Sequence, residues 1–372
     1  MKIVRTIFRI LVGLVFIFSG FVKGIDPLGT VYRMNDYFIA FGTTWAMPLS
    51  LTLTIFLCTL EFVIGTSLIF NLYIKGTSWL LLPMMTFFTI LTFFDALYNL
   101  VPDCGCFGDA IKLTNTQTFI KNLVLMGFVV PIFMWRKKFK PSLKRWSQFA
   151  MIGFFSIAFA GMSVYSYRHL PFIDFMDWKI GNNVNKTDTK PVQFYVTYKN
   201  SKTGETKEFL APNYPWNDSV WMSQWVFVSQ RTADDGTPSA VMLQLEDETG
   251  ADNTAAILGI PDFNFIVVTY DLATTDQESL KKLEKLYQKV SEQGYSFIAI
   301  TSTLSEEVNA YRTKNNMNIP FYYADDVVLK TMVRSNPGLI LINKGVVVNK
   351  WAWRDLPDFD ELNRNYLKIN SR

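Results

Sequence analysis

Apolar positions fall into five long runs within the first 170 residues, near 6–23, 50–74, 79–100, 117–135 and 148–167. A helix needs roughly 20 residues to cross the hydrocarbon of a bilayer, so this pattern predicts about five transmembrane helices. The first run is long, lacks a small-residue cleavage site after it and precedes four more, so it reads as a retained anchor. Beyond residue 170 the periodicity changes. Residues 192–198 alternate, and a turn over Asn200-Ser201-Lys202-Thr203-Gly204 leads into 205–210, which predicts a hairpin in a β-rich connector. From Phe263 the chain predicts a strand over 263–270. An amphipathic helix over 277–293 follows, with Leu280, Leu283, Leu286, Tyr287 and Val290 on one face. A strand over 296–301 and a helix over 304–315 come next. Two strands over 339–342 and 346–350 close a hairpin across Asn343-Lys344-Gly345. The expected order is β-α-β-α-β-β.

Charge divides the chain in the same place. The whole carries 36 Lys and Arg against 32 Asp and Glu, yet residues 1–170 hold 15 against 6 and the remainder 21 against 26. The basic residues gather at the ends of the apolar runs instead of forming a stripe, so nucleic acid is not an expected partner. Lys2, Arg5 and Arg9 precede the first run, Lys75 lies between the second and third, and Arg136, Lys137, Lys138, Lys140, Lys144 and Arg145 separate the fourth and fifth. Cytoplasmic flanks carry such an excess, which predicts a multi-pass protein of the bacterial inner membrane with its N-terminus inside. Residues 24–48, 101–116 and everything after 168 would then face the periplasm. Trp45, Trp79, Trp135 and Trp146 stand near span ends, where interfacial rings meet membrane lipid. Trp216, Trp221, Trp225, Trp351 and Trp353 belong to the soluble half and are expected mainly in its core.

Three cysteines exclude a disulfide framework, so thiol chemistry must be local. Cys104 and Cys106 flank a single glycine just after the third run. A disulfide between them would close a very small ring, and small rings depart from relaxed geometry and are the more reducible for it. Redox exchange is the favoured reading of the pair. An inert pair and a soft-metal clamp stay open, although one His and one further Cys supply too few partners for a structural zinc, and no metal is expected. Cys58 lies three residues before Glu61 on one helix face, as an apolar filler or a third thiol; to reach the loop it would need the loop to dip into the bundle. Glu61 is an ionisable group deep in a span and therefore a functional candidate, as proton relay or polar contact, with Lys23 or Arg9 as its partner. Asp95, Asp103 and Asp109 near the dithiol would raise thiol pKa values, so a cationic counterweight is expected close by. His169, the single histidine, reads as an interfacial polar residue.

Ser19-Gly20-Phe21-Val22-Lys23, Glu61 with Gly65, and Cys104-Gly105-Cys106-Phe107-Gly108 together make residues 5–135 resemble the DoxX and MauE-like membrane proteins. The resemblance implies a helical bundle tied to thiol and disulfide management. The bundle is also similar to vitamin K epoxide reductases, which use a two-residue spacer between their thiols. That likeness implies a membrane quinone as candidate cofactor. Residues 260–357 resemble the thioredoxin fold, most specifically at Ser335-Asn336-Pro337-Gly338 and the strand that follows. The resemblance implies a cis Asn336–Pro337 bond that faces a client. The turn Asp271-Leu272-Ala273-Thr274-Thr275-Asp276 holds no cysteine, so such a domain cannot itself exchange disulfides.

The expected organisation is thus a membrane α-helical bundle over 1–145, a fifth transmembrane helix over 146–170, a β-rich connector over 171–259 and a periplasmic α/β thioredoxin-like domain over 260–372. The expected function is periplasmic thiol–disulfide management through Cys104 and Cys106, with a client or redox partner on the soluble part. A non-catalytic scaffold and a soft-metal-handling membrane protein are the alternatives.

Overall fold

The computed structural model describes residues 2–101, 104–141, 143–185, 194–211, 213–215, 217–232 and 243–368. Asp103, Trp216 and the first two residues of the expected connector hairpin, Val192 and Gln193, lie outside the described residues. The chain divides into two units, residues 1–167 with 228–231 and residues 168–227 with 232–372.

The first unit is helical: α1 (Lys2–Ile25), α2 (Pro27–Ala40), α3 (Ser50–Phe70), α4 (Ile74–Tyr98), α5 (Asn115–Met134) and α6 (Arg145–Arg168). Five of these are long and apolar enough to cross a membrane; a short 3-10 turn over Thr44–Leu49 lengthens the one that contains α3. The chain is a multi-pass membrane protein. All five coincide with the apolar runs of the sequence, although α4 begins at Ile74, so that Lys75 stands in its first turn and not in a loop. The sixth helix, α2, was not expected: its polar Arg33, Asn35 and Asp36 break the apolar pattern. Its start is nevertheless encoded locally, because Asp26 accepts the Gly29 backbone N–H and Pro27 occupies the first turn.

Small residues hold α1 against α3. A Cβ at Gly20 would come within 2.8 Å of the Phe62 backbone nitrogen, and one at Gly65 within 2.6 Å of that of Ile17. Without a hydrophobic drive between helices in lipid, such close backbone approach is a main source of association. Across α4 and α5, Asn122 donates to Thr92 Oγ1 at 3.1 Å. Val12, Phe16, Ile64, Leu68, Leu81, Met85 and Val129 fill the space between the helices.

The second unit is built on two sheets. β1 (Phe194–Asn200) pairs antiparallel with β2 (Thr206–Leu210); α7 (Ser219–Gln224) precedes β3 (Trp225–Thr232), and the order is β2-β1-β3. After α8 (Thr254–Leu258) come β4 (Phe263–Val268), α9 (Gln277–Glu292), β5 (Ser296–Thr301), α10 (Ser305–Asn315), β6 (Phe321–Tyr323), α11 (Asp326–Met332), β7 (Gly338–Asn343), β8 (Val346–Ala352) and α12 (Phe359–Leu362). The sheet order is β6-β5-β4-β7-β8, with β4, β5 and β6 parallel and the β7–β8 hairpin antiparallel to them. Three-residue β6 and seven-residue α11 are additions to the expected order, both too short to leave a period. Strand residues alternate between two cores. Phe265 and Val267 pack toward Leu280, Leu283 and Leu286 of α9, while Ile266 and Val268 pack toward Leu329 and Met332 of α11. The Asn336–Pro337 bond is cis, as the sequence reading expected.

Candidate functional site

The site is assembled where α1, α2, α3, α4 and α5 meet the loop after α4. Asn99 ends α4 in a left-handed conformation, and Asn115 donates to the Val101 carbonyl at 2.9 Å, tying the start of the loop to the start of α5. Thr114 and Gln117 close a reciprocal capping box there. Between these fixed ends runs Cys104-Gly105-Cys106. Gly105 sits at φ +63, and a Cβ on it would run into the side chain of Arg33, so only glycine satisfies both the backbone and the packing. The two thiols are free, with their sulfurs 3.3 Å apart.

The loop does dip into the bundle. Ser19 Oγ lies 2.8 Å from the Cys106 carbonyl oxygen and 3.0 Å from Glu61 Oε2, donating its single proton between the two. Lys23 donates to Glu61 Oε1 at 2.5 Å, and both side chains are buried, 7% and 2% exposed. Ion pairs so placed persist only when each charge is answered, and here Glu61 has an ammonium on one oxygen and a hydroxyl on the other. Of the two expected partners of Glu61, Lys23 is the one found. Arg9 instead lies over the Phe139 ring, 5.9 Å from its centroid. Cys58 is fully buried one turn from Glu61, in the same electrostatic neighbourhood as Lys23.

The expected cationic counterweight is threefold. Arg33 donates to Asp109 Oδ1 at 2.7 Å, which answers the carboxylate nearest the loop among the described residues. Lys121 stands 4.3 Å over the Phe107 ring, and Lys23 completes the set. The hydrogen bond from Cys104 pulls the Cys106 thiol down to about 6 against the opposing effect of burial, and Lys121 and Lys23 pull in the same direction. The bond to Cys106, followed by burial, pushes the Cys104 thiol well above the ordinary range. The two thiols are thus driven apart in acidity, with Cys106 the more acidic of the pair. Tyr37 donates to Asp95 Oδ2 at 2.5 Å.

Sequence reasoning named Cys58, Glu61, Lys23, Cys104 and Cys106, and the structure brings all five together. It did not find Arg33, Tyr37 or Lys121. Lys121 had a signal, since it is the one cation inside the fourth apolar run; Arg33 and Tyr37 are spaced i, i+4 and so share a face of a helix that was itself missed. The other predicted pair, Asn336 and Pro337, belongs to the second unit, where Asn336 donates to the Asp271 carbonyl at 2.9 Å and accepts from Thr275 Oγ1 at 2.9 Å. His169 pairs with Asp355, 2.7 Å from Nδ1 to Oδ1. Among the described residues no group of three or more His, Cys, Asp or Glu is arranged to hold a metal ion.

A bundle of apolar helices with a buried charged pair beneath a two-thiol loop defines a class of integral membrane protein. Residues 1–135, from the start of α1 through the end of α5, match the family described as methylamine utilisation protein MauE. This part of the chain is MauE-like. No curated protein matches the chain.

Proposed function

We propose that this is an inner-membrane thiol–disulfide exchange protein whose working couple is Cys104 and Cys106. The observation that carries the reading is the dithiol itself, its sulfurs 3.3 Å apart, where the hydrogen bond from Cys104 and, after it, Lys121 and Lys23 favour the ionised form of Cys106. Thiolates and not thiols attack disulfides, so an inert pair would not need this electrostatic provision. In the reducing direction, Cys106 sulfur attacks one sulfur of a client disulfide and expels the other client sulfur as a thiolate. Cys104 then loses its proton and attacks Cys106, closing the ring and releasing the second client thiolate. Two electrons pass from the pair to the client. The reverse sequence oxidises a client dithiol, and stabilisation of the Cys106 thiolate biases the couple in that direction, because it favours the reduced pair. The donors around the pair are directed at carboxylates: Lys23 at Glu61, Arg33 at Asp109 and Tyr37 at Asp95. They do not form a cradle for a quinone carbonyl, and no step here runs through one.

The N-terminus lies in the cytoplasm and the Cys-Gly-Cys loop and second unit in the periplasm; the basic run from Arg136 to Arg145 supports this orientation. The second unit is thioredoxin-like, supported by its parallel β4–α9–β5–α10–β6 segment followed by the antiparallel β7–β8 hairpin. Every cysteine of the chain precedes it, so its role is to receive a client or redox partner near Asn336 and Pro337. The test is a full-length Cys104→Ala variant, expressed in cells and analysed by mass spectrometry. A client joined through Cys106 is the expected product. A correctly folded variant that never captures a thiol partner would leave the protein a scaffold.

A further inference from the structure

The second unit carries an apolar patch that its own core does not use. Leu170 and Trp178 pack into the core with Ile340, Ile342 and Val347. The backbone N–H groups of Gly181 and Val184 donate to the carbonyls of Val347 and Gly345, both at 2.8 Å, which fixes the segment along β8, the edge strand of the sheet. Phe172, Ile173, Phe175 and Ile180 are left outside, 53%, 44%, 36% and 57% exposed. Elsewhere among the described residues of this unit the exposed large apolar side chains are Val220 and Met222 on α7, Val226 on β3 and Val327 on α11, none of them aromatic. Apolar side chains scattered singly over a surface need no account, but bulky ones grouped around a groove do. Phe172, Ile173 and Ile180 line a groove of about 420 Å³ whose charged residues are Lys179, Arg334, Lys350 and Asp174, three cations to one carboxylate. Asp174 answers Lys350. Arg334, 7% exposed, donates to the Lys330 carbonyl and to Met176 Sδ, and Lys179 is exposed.

The tether to α6 fixes what lies nearby. That helix has 24 residues, about 36 Å at 1.5 Å per residue, against a hydrocarbon core of about 30 Å, so its end reaches the headgroup layer. Phe172 follows that end, at Arg168, by four residues and therefore lies within about 14 Å of it. We infer that the groove and its apolar rim are a phospholipid site by which the second unit docks on the bilayer. Phe172, Ile173, Phe175 and Ile180 enter among the acyl chains, and the phosphate of an anionic phospholipid is held by Lys179 and Arg334. Bulky apolar side chains beside cations are the composition of segments that lie in the membrane interface. A protein occupant would have to displace lipid from a segment tethered this close to the headgroups. The site is independent of the thiol chemistry, and it holds whichever side of the membrane the second unit occupies.

The test uses the native full-length protein in nanodiscs doped with a phospholipid that carries a diazirine in its acyl chain, under either a phosphatidylglycerol or a phosphatidylcholine headgroup. Light couples the lipid to whatever it touches, and mass spectrometry maps the adducts. The expected result is label at Phe172, Ile173 and Ile180 beside that on the spans, none at Val327 of the same unit, and more from the phosphatidylglycerol probe than from the phosphatidylcholine one. Lys179→Met, a change at an exposed side chain, lowers the phosphatidylglycerol yield at these residues about fivefold, the worth of one cation near an anionic surface. It leaves the phosphatidylcholine yield and the label on the spans unchanged. Label confined to the spans overturns the docking, and so does label shared equally between the patch and Val327, which would mean contact without selection. Equal yields from the two headgroups, or a phosphatidylglycerol yield indifferent to Lys179→Met, overturn the phosphate site.

Discussion

In the second unit, apolar residues of alternate strand positions fill two cores, and buried polar groups do local work: Asp276 accepts the Ser279 backbone N–H at the start of α9, and Asp325 caps α11 and accepts the Tyr214 hydroxyl at 2.5 Å. In the bundle, by contrast, Lys23, Glu61, Ser19, Tyr37, Asp95, Arg33, Asp109 and Lys121 come from five helices and one loop and converge on two sulfurs. Polar groups that cap a helix are explained by the fold they sit in. Polar groups gathered around a thiol pair, at the expense of desolvation, are what the proposed exchange would call for. The contrast supports the proposal that exchange takes place in the bundle and that the cysteine-free unit serves recognition.

The largest expected effect tests how much the bundle depends on its buried pair. Lys23→Met strands the Glu61 carboxylate and should cost about 3–5 kcal/mol, while Lys23→Met combined with Glu61→Leu should recover most of it. Unfolding of the purified protein in denaturant measures both. The exposed pair Lys281–Glu278 of the second unit should show under about 1 kcal/mol by the same assay. Next, Leu283→Ala should remove about 2–5 kcal/mol from the second unit by opening its core yet leave alkylation of Cys106 unchanged. A changed alkylation profile would erase the division of labour. Gly20→Leu should weaken the α1–α3 pair by about 1–3 kcal/mol, because its side chain meets backbone and not a flexible neighbour. The smallest effect is the sharpest. The rate of Cys106 alkylation by iodoacetamide should rise through pH about 6 and not about 9, because the thiolate that reacts is favoured above its own depressed pKa. Lys121→Met removes a nearby cation, moves that midpoint upward and lowers the reactive fraction at pH 7.

The sequence disclosed the spans because lipid demands long uninterrupted apolar runs, and the β4 to β8 framework because its strands and α9 each carry a clear period. Glu61, Lys23 and the dithiol were legible for the opposite reason, as polar or reactive residues where the pattern forbids them. Helix α2 was hidden because its composition is mixed, and Arg33 and Tyr37 went with it, although Asp26-Pro27 marked its start. Short β6 and α11 left too few residues for periodicity to register. Convergence itself was not readable: nothing along the chain says that Lys23 meets Glu61, or that Tyr37 meets Asp95.

The most direct measurement follows the state of Cys104 and Cys106 in the full-length protein equilibrated across reduced and oxidised glutathione mixtures, with the free thiols then alkylated and mapped by mass spectrometry. A reversible two-electron passage between dithiol and disulfide, confined to this pair and leaving Cys58 reduced throughout, is the predicted result. A pair that remains two free thiols in every mixture would contradict the account.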